Sequence, residues 1–194
     1  MKRCQGIVFA VALSVAGSAV ASAATPQRWI VDPVHSTAQF TATHFGLSHV
    51  LGVIPIQSAT IVAPQSPALP SSITATLDAT GVDTRVADRD ADLRSPHFFD
   101  AAQYPTISFV STAIAPVDAK TFDATGNLTM HGVTKPVVLR TSYLGQITDP
   151  RGRQRVAYTA TTTIKRSDFG MGQFPIVVGD DIAIEIDVEA DPAK

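Results

Sequence analysis

Residues 180–190 read DDIAIEIDVEA. Ile182, Ile184, Ile186 and Val188 fall on one face of an extended chain, and Asp181, Glu185, Asp187 and Glu189 mostly on the other, because successive strand side chains point to opposite sides. A strand buried on both faces reads as a continuous apolar run, so this alternation belongs to antiparallel sheet with one dry and one wet face. Seven earlier segments keep the same rhythm between clusters of Pro, Gly, Asp and Asn. They run from about Trp29 to Thr43 (interrupted by Asp32-Pro33), Gly52 to Val62, Ile73 to Ala79, Thr106 to Ala115, Phe122 to Met130, Val137 to Ile147 and Val156 to Lys165. Eight antiparallel strands close into a barrel or split into a sandwich, and closure leaves no exposed edge.

One segment, Val82 to Gln103, lacks the alternation. Asp83 or Thr84 is placed to cap a helix running through Arg94, with Asp88, Asp90 and Asp92 biased toward its start and Asp90 one turn before Arg94. Ser95-Pro96 then ends that helix and opens a second turn. The expected architecture is all-β, with this helical insertion between strands three and four. Ala63 to Ser72, with three prolines, reads as a surface loop.

The N-terminus follows a different pattern. Lys2 and Arg3 precede an apolar run from Ile7 to Val15, and Ala21-Ser22-Ala23 offers the small residues a signal peptidase accepts, with Ala19-Val20-Ala21 as an alternative site. Residues 1–23 are therefore expected to be a cleaved leader and residues 24–194 a single exported domain, periplasmic in location. Cleavage removes the only cysteine, Cys4, so neither disulfides nor a thiolate metal site are expected. Losing Lys2 and Arg3 from the 15 basic residues leaves 13 against 17 acidic ones, a net charge of −4 with no basic block. Nucleic acid and anionic membrane surfaces, which call for clustered Lys and Arg, are poor partners for such a chain.

The polar residues offer little catalytic apparatus. His35, His44, His49, His97 and His131 show no metal-binding spacing, and there is no G-x-S-x-G elbow, thiol or phosphate-cradling glycine loop. Gly170-Met171-Gly172 is too short for a nucleotide signature. The densest polar cluster is Arg89, Asp90, Asp92 and Arg94, which reads either as ion pairs on a solvated helix face or as contacts to a polar head group at a barrel mouth. On the apolar registers Ala38, Ala42, Ala75, Ala79, Ala113, Ala124, Gly126 and Ala160 alternate with Phe40, Leu77, Phe109, Phe122, Leu128, Tyr158 and Ile164. Small residues between large ones leave room for a long narrow guest, or interlock in a fully packed barrel; composition leaves both open. An outer-membrane barrel is disfavoured. Thr74, Thr76, Asp78, Arg140, Thr161, Thr163, Glu185 and Asp187 make no lipid-facing band, and one Trp with three Tyr cannot form two aromatic girdles.

Four stretches resemble the YceI-like family of polyisoprenoid-binding, lipocalin-like secreted proteins. The fullest is VDTRVADRDADLRSPHFFDAAQYPTISF (82–109), supported by WIVDPVHSTAQFTATH (29–44), GNLTMHGVTKPVVL (126–139) and IKRSDFGMG (164–172). The second strand departs from the family, with Ile54 and Pro55 near a site that usually carries an aromatic. The resemblance implies an extended eight-stranded antiparallel lipocalin-like β-barrel around an apolar tunnel, and binding rather than catalysis. The implied partner is a long-chain amphiphile such as an isoprenoid quinone, polyprenyl phosphate, fatty amide or fatty acid. No cofactor is required, no nucleic acid or integral membrane role is implied, and a homodimer stays open. Expected tunnel-lining residues are Phe40, Ala42, His44, Leu77, Phe98, Phe99, Ile107, Phe109, Leu128, Leu139, Tyr143 and Phe169, with Arg89, Asp90 and Arg94 at the head group. The alternatives are an envelope lipid-modifying enzyme using Asp90 and Arg94, and a packed stress-response protein without ligand.

Overall fold

The computed structural model describes residues 27–63 and 66–194, so the expected leader, Cys4 and both cleavage points lie outside the described residues. Ten strands follow in order: β1 Gln27–Val31, β2 Thr37–His44, β3 Ser48–Val53, β4 Ile56–Ala63, β5 Ser72–Asp78, β6 Thr106–Pro116, β7 Thr121–Met130, β8 Val133–Thr148, β9 Gln154–Lys165 and β10 Val178–Pro192. All pair antiparallel, and β1 bonds to both β4 and β10, closing the ring β1-β4-β5-β6-β7-β8-β9-β10. The barrel has eight staves because β1 with β2, and β3 with β4, each make one interrupted stave. Their breaks have local causes. Pro33 and Pro55 offer no backbone N–H to a ladder. At the first break the Asp32 carboxylate accepts from Val34 N and His35 Nδ1, turning the chain so that β10 pairs first with β2 and then with β1.

The inward register follows the alternation along most of the sheet, with shifts on β4, β6, β8 and β10. On β7, Phe122, Ala124, Gly126 and Met130 are buried and Leu128 is half-buried, in phase along the strand. On β6 the register shifts between Ser111 and Ala113, where an extra residue faces one partner. A bulge reverses the facing of every later side chain, so Ala113, placed inward by simple alternation, is exposed and Ile114 packs on the core instead.

The insertion also differs from its expected form. The helix, α1, spans only Ala87–Arg94 and has no side-chain cap. Neither Asp83 nor Thr84 caps it, because Thr84 is buried and donates to Asp90 through N and Oγ1, at 2.7 and 2.5 Å. Asp90 thus fastens the preceding loop and forms no salt bridge with Arg94, whose Nη1 reaches Val82 O at 3.3 Å. Ser95-Pro96 does end the helix and open a turn, in which Phe98 N and Asp100 N both return to Ser95 O.

Candidate functional site

A stretched cavity of about 210 Å³ lies along the barrel axis. Every stave contributes to it, through Val31, Phe40, Ile61, Leu77, Phe109, Leu128, Leu139, Ala160 and Ile184 among others, and the surface they expose there is carbon. The inward residues of β10 (Ile182, Ile184, Ile186 and Val188) are half-buried rather than buried, although they point away from solvent. The same holds for Ile73, Ala75 and Leu77 of β5. Side chains interlocked across the axis would be dry on all sides, so these inner faces border open space. Ala38, Ala42, Ala59, Ala75 and Ala160 all lie on the lining, where the absence of larger side chains creates the room.

The two ends are unlike. At one end Trp29, Ala63, Phe122, Ala124, Val156 and Ala190 are buried in one cluster and do not border the cavity, so they form a packed floor. The Tyr158 hydroxyl donates to Pro67 O at 2.7 Å, and burial pushes its phenol pKa up. Outside this floor Arg155 meets four carboxylates, Glu189 at 2.9 Å, Asp32 at 3.5 Å, Asp191 at 3.6 Å and Asp149 at 3.7 Å, tying the β8–β9 hairpin to β10 and the β1–β2 break. At the other end the lining consists of Leu93, Phe98 and Phe99 of the insertion, with Arg166 and Met171 from the β9–β10 connection and Val178 at the start of β10.

Among the described residues Arg166 is the one charged residue that borders the cavity, and it is only 4% exposed. Its guanidinium donates to the carbonyls of Met171, Gln173 (2.7 Å), Val178 (2.8 Å) and Gly179 (2.9 Å), and lies 6.0 Å from the Phe98 ring centroid. Burial lowers its pKa. Sequence reasoning did not single it out, although it sits within IKRSDFGMG. The only sequence signal is a basic residue directly after an alternating strand; its burial depends on residues 171–179 wrapping around it.

Nine of the residues expected to line a tunnel border the cavity: Phe40, Ala42, Leu77, Phe98, Phe99, Ile107, Phe109, Leu128 and Leu139. Three do not. His44 is exposed at the end of β2 with its ring against Phe45; Tyr143 packs outside the lining, 5.5 Å from the Tyr158 ring; Phe169 is buried behind it, its carbonyl 2.9 Å from His131 Nδ1. Arg89, Asp90 and Arg94 also lie off the cavity. Arg89 donates to Thr84 Oγ1 and Thr84 O, so all three residues brace the loop before α1. Hydrogen bonds from Thr84, more than the nearby guanidinium groups, hold the Asp90 carboxyl below its ordinary range. Ile54, at the departure in the second strand, lines the cavity.

Glycines make two of the aromatic walls possible. A Cβ on Gly126 would stand 2.5 Å from Phe109 Cζ, and one on Gly52 2.4 Å from Phe40 Cζ. Each ring tip therefore occupies space that a side chain at the glycine would fill. Among the described residues no group of three His, Cys, Asp or Glu side chains converges as a metal site, and no helix is long and apolar enough to cross a membrane.

Comparison with known proteins agrees with this architecture. Protein YceI of Escherichia coli O17:K52:H18 (strain UMN026 / ExPEC) is 35% identical over 166 residues, covering 86% of this chain and 85% of that protein. The crystal structure of the Campylobacter jejuni YCEI protein superposes with a TM-score of 0.68 at 29% identity, over 78% of this chain and 90% of the other. A polyisoprenoid binding domain from Saccharophagus degradans, implicated in plant cell wall breakdown, shares the fold with a TM-score of 0.65 at 16% identity, over 85% and 98% of the two chains. The YceI-like domain matches residues 29–190, nearly the whole described barrel, and the chain belongs to that family.

Proposed function

We propose that this protein binds a long-chain amphiphile reversibly and without chemical change, as a carrier or sequestering protein of the periplasm. The observation that carries the proposal is the continuous apolar cavity, floored at one end and bordered by one buried cation at the other. Each methylene moved from water onto such walls contributes about 0.8 kcal/mol before ordering costs, so a long tail supplies affinity and the polar end supplies orientation. An isoprenoid quinone, a polyprenyl phosphate, a fatty amide and a fatty acid all have that form. The name of the Saccharophagus degradans domain favours an isoprenoid.

The lining argues against an enzyme of the barrel interior. Among the described residues its side-chain hydroxyls are those of Thr141, Thr162 and Tyr158, and the Tyr158 hydroxyl is engaged with Pro67 O. Asp90 and Arg94, the residues such an enzyme would use, are engaged with Thr84 and Val82. The test is lipid extraction and mass spectrometry of the purified protein, together with titration of a fluorescent fatty probe. A co-purifying long-chain species and saturable probe binding are expected; repeated failure of both overturns the proposal.

A further inference from the structure

The floorless end of the barrel carries two projecting apolar tips. The β2–β3 hairpin exposes Phe45 (54%) and Leu47 (88%), and the β9–β10 connection exposes Phe174 (43%) and Ile176 (84%). The tips stand side by side, since Phe45 N donates to Val177 O at 2.8 Å. They also adjoin the cavity: the Phe174 ring lies 6.1 Å from that of Phe98, and Val178, two residues after Ile176, is on the lining. Phe45 and Phe174 hold φ at 52° and 54°, a left-handed conformation that bulky residues rarely adopt and that persists where the surroundings impose it. Such an outlier invites a functional explanation.

We infer that these two tips dock the barrel on a phospholipid bilayer, so that a guest passes between membrane and cavity without crossing water. The inference rests on the lipid-binding function proposed above. Two observations select a bilayer over a protein partner. Four side chains of this size expose about 500 Å² between them, short of the roughly 800 Å² per partner that stable protein complexes bury. They are also tips rather than a face, and a lipid surface takes up such projections without needing a complementary shape.

Charge selects the mode of docking. In a chain with 17 acidic residues, segments 44–52 and 169–179 contain none, and no Lys or Arg either. The rings of His44 and His97 meet those of Phe45 and Phe174 edge to face. The tips therefore enter the lipid interface by apolar insertion, and the absence of a basic block is no obstacle. Anionic lipid is not required, and salt does not release the protein. Arg166, behind Phe98, is the charged neighbour of the cavity at this end, its guanidinium held by backbone carbonyls.

The test compares the exported protein with its Leu47→Glu/Ile176→Glu variant, whose changes fall on exposed tips outside both core clusters. In flotation with phosphatidylcholine vesicles the native protein should partition about tenfold or more above the variant. Added phosphatidylglycerol or salt should change this little. Transfer of a fluorescent fatty probe from vesicles should accelerate with vesicle concentration for the native protein and lose that dependence in the variant. Probe supplied in solution should bind both equally. Equal flotation of the two proteins, or transfer independent of vesicle concentration, overturns the docking inference, as does a native dimer that the variant converts to monomer. Absence of probe binding in solution to either protein instead overturns the lipid-binding function itself.

Discussion

Ala75→Phe distinguishes a hollow barrel from a packed one. Ala75 lies on β5 between Ala59 of β4 and Phe109 of β6, and alone among the five lining alanines it is only half-buried. With the axis open, the new ring enters space that a guest would occupy. Displacing about four methylenes of contact removes about 3 kcal/mol, raising the dissociation constant of a fatty probe roughly a hundredfold. Folding stability should stay within about 0.5 kcal/mol of the native value or rise, because the ring gains apolar neighbours without pushing any aside. In a filled barrel the same ring would be overpacking, at a cost of about 1–3 kcal/mol. Probe titration and urea unfolding of the same preparations measure both quantities. A loss of more than about 1 kcal/mol in stability with unchanged probe affinity would refute the hollow axis.

Three further outcomes are expected. Gly126→Ala should lose about 1–3 kcal/mol in chemical denaturation, since its Cβ would stand 2.6 Å from the immovable Val110 O as well as against Phe109. Arg166→Met should leave the carbonyls of Met171, Gln173, Val178 and Gly179 without their donor, seen as faster amide hydrogen exchange confined mainly to residues 171–179. The carboxyls of Asp32, Asp90 and Asp149 are held below 3.8 by hydrogen bonds, chiefly from His35, from Thr84 and from the Arg153 backbone respectively. Groups with depressed folded pKa values stabilise above their unfolded pKa and lose that contribution as pH falls through the folded one. The urea midpoint should therefore hold steady above the ordinary carboxylate range and fall below it, with a shallower fall in Asp90→Asn.

The strands were legible in the sequence wherever one face meets solvent, as the Ile182 to Val188 alternation illustrates. Their register failed at Ala113, because a bulge inserts one residue without any marker in composition. The helix cap was misplaced for a related reason. Thr84 and Asp83 are good caps locally, but Thr84 answers to Asp90 six residues on, and that tertiary bond leaves the helix starting at Ala87 uncapped. Lining residues on regular strands were readable from phase alone, whereas His44 lies in phase with Phe40 and Ala42 yet past the rim, where the strand ends. Arg166 was beyond reach because a basic residue looks solvated until the loop that buries it is folded.

A high-resolution density map of the protein purified without lipid extraction tests the hollow axis most directly. Elongated density that no side chain explains should run between Ile184, Leu139 and Phe109, from the Trp29 floor toward Arg166. Side chains meeting across the axis from end to end, with no channel between them, would contradict it.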